Sequence, residues 1–266
     1  MDPNAFFALA ALIALVPAAV IGWRREPSRD IAFFAVLAVA VAGPLAWVVS
    51  QTSGGWGTGL STALWVTVAA TMVLFAALVV INREAWRLMP LLAPYMVAYA
   101  ILASIWRQAP QQAFDLASLG AWVDVHIATS VVTYALVTIA AIAALAAFFQ
   151  ERALKTKRPT TLSRRLPSVA DCERLVVGLL VFAEIVLALG LMTGTAALYL
   201  ESGAFLAFDH KTVLTVSGFV VIGGLLIAHF RSGVRGRGAA RMVLLAYLLI
   251  TLGYPGVKFV TQVLIG

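Results

Sequence analysis

Two of the three histidines in this chain, His126 and His210, stand at the start of separate apolar segments. A neutral imidazole is a nitrogen donor to iron, and two of them meeting at one level of a helix bundle are what an axially ligated haem requires. Zinc would ask for a third or fourth ligand from Cys, Asp or Glu, and only Asp124 and Asp209 lie near these histidines in the sequence. His126 opens HIATSVVTYALVTIAAIAALAAFF, with Thr129, Ser130 and Thr133 within a turn or two of it and Ser130 and Tyr134 at helical spacing. The bland alternative is an interfacial histidine bonded to a neighbouring helix, but a polar side chain at membrane depth marks a functional candidate. His210 sits in FDHKTVLTVSGF between Asp209 and Lys211. That cluster reads either as a helix N-cap with snorkelling charges or as a ligand with its supporting groups, Lys211 suiting a porphyrin propionate and Asp209 orienting the imidazole. His229 follows His210 in the same segment by about 28 Å of helix, so it cannot share their iron. It reads as a residue of the opposite interface, with a second haem or proton site as the alternative.

The elements that must position these side chains are membrane helices. The chain has 266 residues of which 62% are hydrophobic and 12% charged, a balance that excludes an ordinary soluble domain. Apolar stretches run at about 4–23, 31–51, 60–81, 88–106, 126–148, 175–199, 212–230 and 242–262, each near the ~20 residues that cross the hydrocarbon as helix. Long uninterrupted runs select helices over a barrel. The expected fold is an all-α polytopic membrane bundle of about eight transmembrane helices, one domain over 1–266. Met1-Asp2-Pro3-Asn4 lacks the basic start of a signal peptide, so the first span is expected to stay attached.

The net charge of +7 would suggest nucleic acid in a soluble protein, yet sixteen of the nineteen Lys and Arg residues fall in alternate loops. They are Arg24, Arg25 and Arg29, then Arg83 and Arg87, seven from Arg152 to Arg174, and Arg231, Arg235, Arg237 and Arg241; Arg107, Lys211 and Lys258 remain for the other side. The positive-inside rule places both termini outside, and His126 and His210 with them. A lipid bilayer, not nucleic acid, is the partner this pattern implies.

The loop from Gln150 to Arg174 is basic and proline-broken, and Leu166-Pro167-Ser168 is expected to start a short interfacial helix with Asp171 and Glu173 in its first turns. It reads as a structural or lipid-facing linker, with docking of a cytoplasmic partner as the alternative. Cys172 is the only cysteine, which excludes an internal disulfide, a CxxC redox pair and a multi-cysteine metal site. Glu184 is the one carboxylate in the middle of a span, expected to be protonated and hydrogen-bonded, with a proton or cation path as the alternative. Gly190, Gly194, Gly218, Gly223 and Gly224 most simply allow close helix packing. Trp122, Phe205 and Phe208 could cover a ring but are equally the normal interfacial belt.

Four stretches taken in order resemble the cytochrome c assembly membrane-protein family: HIATSVVTYALVTIAAIAALAAFFQERALKTK, LPSVADCERLVVGLLVFAEIVLALGLMTG, FDHKTVLTVSGFVVIGGLLIAHFRSGVRGRGAAR and LLITLGYPGVKFV. The look is that of its YpjD-like and HemX-like inner-membrane branch, from about Trp122 to the C-terminus. The resemblance implies haem handling in a bacterial inner membrane, with His126 where members place an outer histidine ligand. It puts His210 where the assembly members more often have proline and the YpjD-like branch has histidine, and likens His229 to the family's inner transmembrane histidine. The tryptophan-rich loop that presents haem to apocytochrome is replaced by ESGAFLAFD, and YPGVKFVTQVLIG lacks the final outer histidine.

The expected function is therefore binding of one b-type haem near the outer face by His126 and His210, with Lys211 and Asp209 beside it. The output would be haem handling in cytochrome c biogenesis or haem homeostasis, alongside other biogenesis proteins; nothing argues for an enzyme. The rivals are a transporter using Glu184 and a membrane scaffold whose histidines are merely interfacial.

Overall fold

In lipid the backbone must satisfy its own hydrogen bonds, and the apolar stretches of this chain do so as helices. The computed structural model describes residues 3–24, 28–52, 56–57, 59–108, 113–114, 121–205 and 209–264. In chain order the helices are α1 (Pro3–Arg24), α2 (Ile31–Thr52), α3 (Leu60–Ile81), α4 (Met89–Ile105), α5 (Ala121–Thr156), the short α6 (Thr161–Arg165), α7 (Val169–Ser202), α8 (His210–Ser232) and α9 (Gly236–Thr251). Helix α9 continues to Leu264 through π turns at Leu252–Gly256 and Val260–Leu264. Eight helices are long and apolar enough to cross a membrane, as the hydropathy pattern predicts. Among the described residues the other extended structure is a two-residue antiparallel bridge, Trp56 with Phe114 and Gly57 with Ala113.

The centre of the bundle is α5. Its 36 residues extend about 54 Å, well past the ~30 Å of hydrocarbon, and 78% of its apolar window is buried. The alanine-rich run from Val131 to Ala147 lets α7 lie close along it, and α5 with α7 forms the most extensive helix pair in the molecule. On the other side α3 packs its buried Trp65, Met72 and Phe75 toward α5 and the α1, α2 and α4 group. Helix α8 is peripheral, held mainly by α9 and less by α7. Gly253, in the π turn around Pro255, receives Leu214 of α8: a Cβ there would lie 3.2 Å from the Leu214 Cβ. A proline that removes one backbone donor accounts for the widened turn, which docks the first turns of α8.

The linker between α5 and α7 differs from expectation. Ser168 does not open a separate interfacial helix; its hydroxyl caps α7 by accepting from the Asp171 amide at 3.2 Å. No helix breaker follows before the apolar run, so the helix begun there continues across the membrane. The short separate helix is instead α6, opened by a capping box in which Thr160 and Ser163 bond each other's amides at 3.1 and 2.9 Å. Upstream, α5 ends in a Schellman turn: the Arg158 amide reaches the Ala153 carbonyl and the Lys157 amide the Leu154 carbonyl, both at 3.2 Å. Lys157 holds the left-handed position with φ of 52°, where glycine is the usual residue and a side chain costs about 1 kcal/mol.

Candidate functional site

His126 lies in the second turn of α5, against two glycines one turn apart on α7. Its Nδ1 is 2.8 Å from the Gly190 carbonyl oxygen. A carbonyl only accepts, so Nδ1 is the donor, and in the neutral ring Nε2 is left with its lone pair. Nε2 makes no hydrogen bond among the described residues. The ring abuts bare backbone: a Cβ on Gly194 would be 2.8 Å from Cε1 and 2.9 Å from Nδ1 of His126, and a Cβ on Gly190 would be 3.3 Å from the Thr129 hydroxyl. The Gly190-x-x-x-Gly194 pair is thus a seat for one imidazole as well as a packing groove.

Between α5, α7 and α8 lies a cavity of about 390 Å³. Its walls bring His126 together with Gly190 and Gly194, Leu198 and Phe205 on one side and Asp209, Lys211 and Thr215 on the other. The Lys211 ammonium makes no ion pair or hydrogen bond among the described residues. Asp209 is the N-cap of α8, its Oδ1 accepting from the Thr212 amide at 2.7 Å. Burial is the largest single influence and raises its pKa, but the hydrogen bonds from Thr212 together with Lys211 and His210 beside it outweigh this and hold the carboxyl below its ordinary value. Asp209 is ionised at neutral pH and occupied with the helix, so Lys211 is the cavity's available charge.

His210 is the first residue of α8, exposed, and absent from the cavity wall. Helical geometry gives the reason: it sits roughly half a turn round α8 from the face made by Lys211, Thr212, Thr215 and Val216. The structure therefore assembles His126, Lys211 and Asp209 and leaves His210 just outside them. Of the aromatic candidates, Phe205 lines the cavity and stacks on Tyr199 at 4.6 Å between centroids, Trp122 is exposed, and Phe208 falls outside the described residues. His229 lies at the far end of α8, its Nδ1 donating to the Val234 carbonyl at 3.0 Å.

The polar stripe predicted beside His126 divides. Thr129 returns its hydroxyl to the Val125 and His126 carbonyls at 2.9 and 3.0 Å, whereas the Thr133 hydroxyl is buried without a partner among the described residues. Tyr134 belongs to a different cluster, bonding Tyr99 at 2.5 Å, Thr251 at 3.1 Å and Tyr247 at 3.2 Å, with Tyr95 bonded to Tyr247. These tyrosines tie α4, α5 and α9 together, a convergence that no local spacing signals. Against the expectation of a hydrogen bond, Glu184 Oε2 is buried without a partner among the described residues, and Oε1 fills the space where a Cβ on Gly223 would come within 2.8 Å. Sequence reasoning also missed the Gly190 carbonyl as the group that orients His126; the GLMTG motif offered the signal but was assigned to packing alone. Among the described residues no three His, Cys, Asp or Glu side chains group as a metal site.

Comparison with known proteins gives this geometry its context. The family model described as cytochrome C assembly protein matches residues 30–265, extending the likeness into the early spans. An uncharacterized 28.8 kDa protein of Azospirillum brasilense is 54% identical over the whole of both chains. The inner membrane protein YpjD of Escherichia coli K12 is 25% identical over 97% of this chain and 98% of its own. No solved structure matches. With eight membrane-crossing helices and this match over nearly its full length, the chain belongs to the cytochrome c assembly protein family as a multi-pass inner-membrane member.

Proposed function

We propose that the protein binds one b-type haem in the cavity between α5, α7 and α8 and serves haem handling, in cytochrome c biogenesis or haem homeostasis. The observation that carries this is the His126 imidazole, held by Nδ1 on the Gly190 carbonyl so that Nε2 is the free donor, the arrangement typical of a metal-binding histidine. The cavity is of ligand size, its walls are largely apolar, and Lys211 offers a cation to a carboxylate. The residues present fit the group. Bound there, haem would supply a reversible one-electron couple.

His126 is the fixed ligand. His210, exposed and flanked on both sides by cavity-lining residues, is the second, reaching the ring only after a change in the first turn of α8. One rigid and one movable ligand suit a protein that must take up its cargo and release it. Both termini and the cavity then lie outside, since sixteen of nineteen basic residues sit in or beside the connections at the opposite ends of the helices.

Titrating detergent-purified protein with haem tests this: a Soret band with reduced-minus-oxidised b-type features is expected, weakened in Lys211→Gln. Absence of any saturable absorbance change removes the proposal. Transport through Glu184, supported by its unpartnered Oε2, would be favoured instead by solute uptake that survives His126→Ala and is lost in Glu184→Gln.

A further inference from the structure

A second cavity, of about 410 Å³, opens at the other end of the bundle between the last turns of α5 and the short helix α6. It is lined by Gln150, Leu154, Lys157, Ser163 and Arg164 among others. Lys157 and Arg164 make no ion pair among the described residues, whereas neighbouring Lys155 and Arg174 are paired to Glu151 and Asp171. Two unneutralised cations therefore share one depression.

Two independent features suit this place to a lipid. Lys157 is the one non-glycine residue with positive φ among the described residues, at a Schellman position where glycine would relieve the strain. A lysine there, with its side chain on the cavity wall, fits a use for the charge. Beside it Leu154 is 69% exposed, an apolar side chain next to the cations, as the boundary between headgroup and acyl chain requires. Helix α6 lies alongside with Ser163 and Leu166 buried, and α5 is long enough to carry these turns beyond the hydrocarbon.

We propose that Lys157 and Arg164 bind the phosphodiester headgroup of an anionic phospholipid of the inner leaflet, with Leu154 against its glycerol and acyl region. A lysine or arginine near an anionic surface contributes roughly fivefold in affinity, so removing both is expected to weaken binding about 25-fold. The test is native mass spectrometry and thermal melting of the full chain in detergent supplemented with phosphatidylglycerol, phosphatidylcholine or inorganic phosphate. Wild type should retain phosphatidylglycerol selectively and melt higher with it, and Lys157→Gln/Arg164→Gln should lose both effects. Lys157→Gly should raise the melting temperature without lipid, by removing strain, while lowering phosphatidylglycerol retention; a lysine with a purely structural role would not give that split. Equal retention of the two lipids, unchanged retention in the double variant, or the same melting shift from inorganic phosphate alone would each overturn the assignment.

Discussion

Substituting Gly194 by alanine probes the seat of His126 without touching the imidazole. The new Cβ would fall 2.8 Å from Cε1 and 2.9 Å from Nδ1, roughly 1 Å inside the ~3.5–4.0 Å at which such atoms rest. Backbone stands behind the glycine, so the ring must move, and a 1 Å displacement breaks its 2.8 Å bond to the Gly190 carbonyl. Overpacking costs about 1–3 kcal/mol and a lost hydrogen bond about 1 kcal/mol. Binding that depends on His126 should therefore weaken by at least ~2 kcal/mol, or about 30-fold. Helix propensity acts the other way, since alanine is favoured over glycine by up to ~1 kcal/mol, so the fold should survive. Gly178→Ala, on the same helix with nothing within 4 Å of the new methyl, is the control and should bind like wild type. The assay is haem titration followed by Soret absorbance, with melting temperature measured in parallel. Wild-type affinity in Gly194→Ala would refute the claim that this glycine seats the ligand.

Other consequences can be measured independently. Because the folded pKa of Asp209 is depressed, its contribution as N-cap is present above its unfolded value of about 3.9 and is lost as pH falls through the folded value. Hydrogen exchange in the first turn of α8 should accelerate over that acidic window, while Asp209→Asn, which keeps a capping oxygen, should show no such pH dependence and Asp209→Ala should cost about 1 kcal/mol at neutral pH. Tyr134→Phe removes the hydroxyl that joins Tyr99, Tyr247 and Thr251 and leaves buried partners unsatisfied, so a loss of ~1–3 kcal/mol in stability is expected, seen as a lower melting temperature with haem affinity little changed.

Hydropathy made the eight helices legible because each span is a long uninterrupted apolar run, and lipid permits only one local solution to such a run. His126 and Lys211 were legible for a related reason: they stand where apolar segments begin, the one depth at which polar side chains are affordable near a membrane. What spacing could not give was direction around a helix. His210 and Lys211 are adjacent in sequence, yet only Lys211 faces the cavity, because each residue turns the helix by about 100°. The Gly190 carbonyl was hidden too, since any backbone oxygen is a candidate until two helices are docked. The same holds for the Leu60 amide capped by Gln262 at 2.8 Å, a contact made across the length of the chain. The linker misled for a local reason: Ser168 and Asp171 gave a true helix start, but the helix they start is the spanning one.

The central claim is that Nε2 of His126 is the protein's fixed iron ligand. Electron paramagnetic resonance and absorption spectra of haem-loaded protein, compared among wild type, His126→Ala and His210→Ala, test it most directly. His126→Ala should lose the haem signal, while His210→Ala should keep the haem but turn a low-spin spectrum high-spin. A spectrum and affinity unchanged by His126→Ala would contradict it.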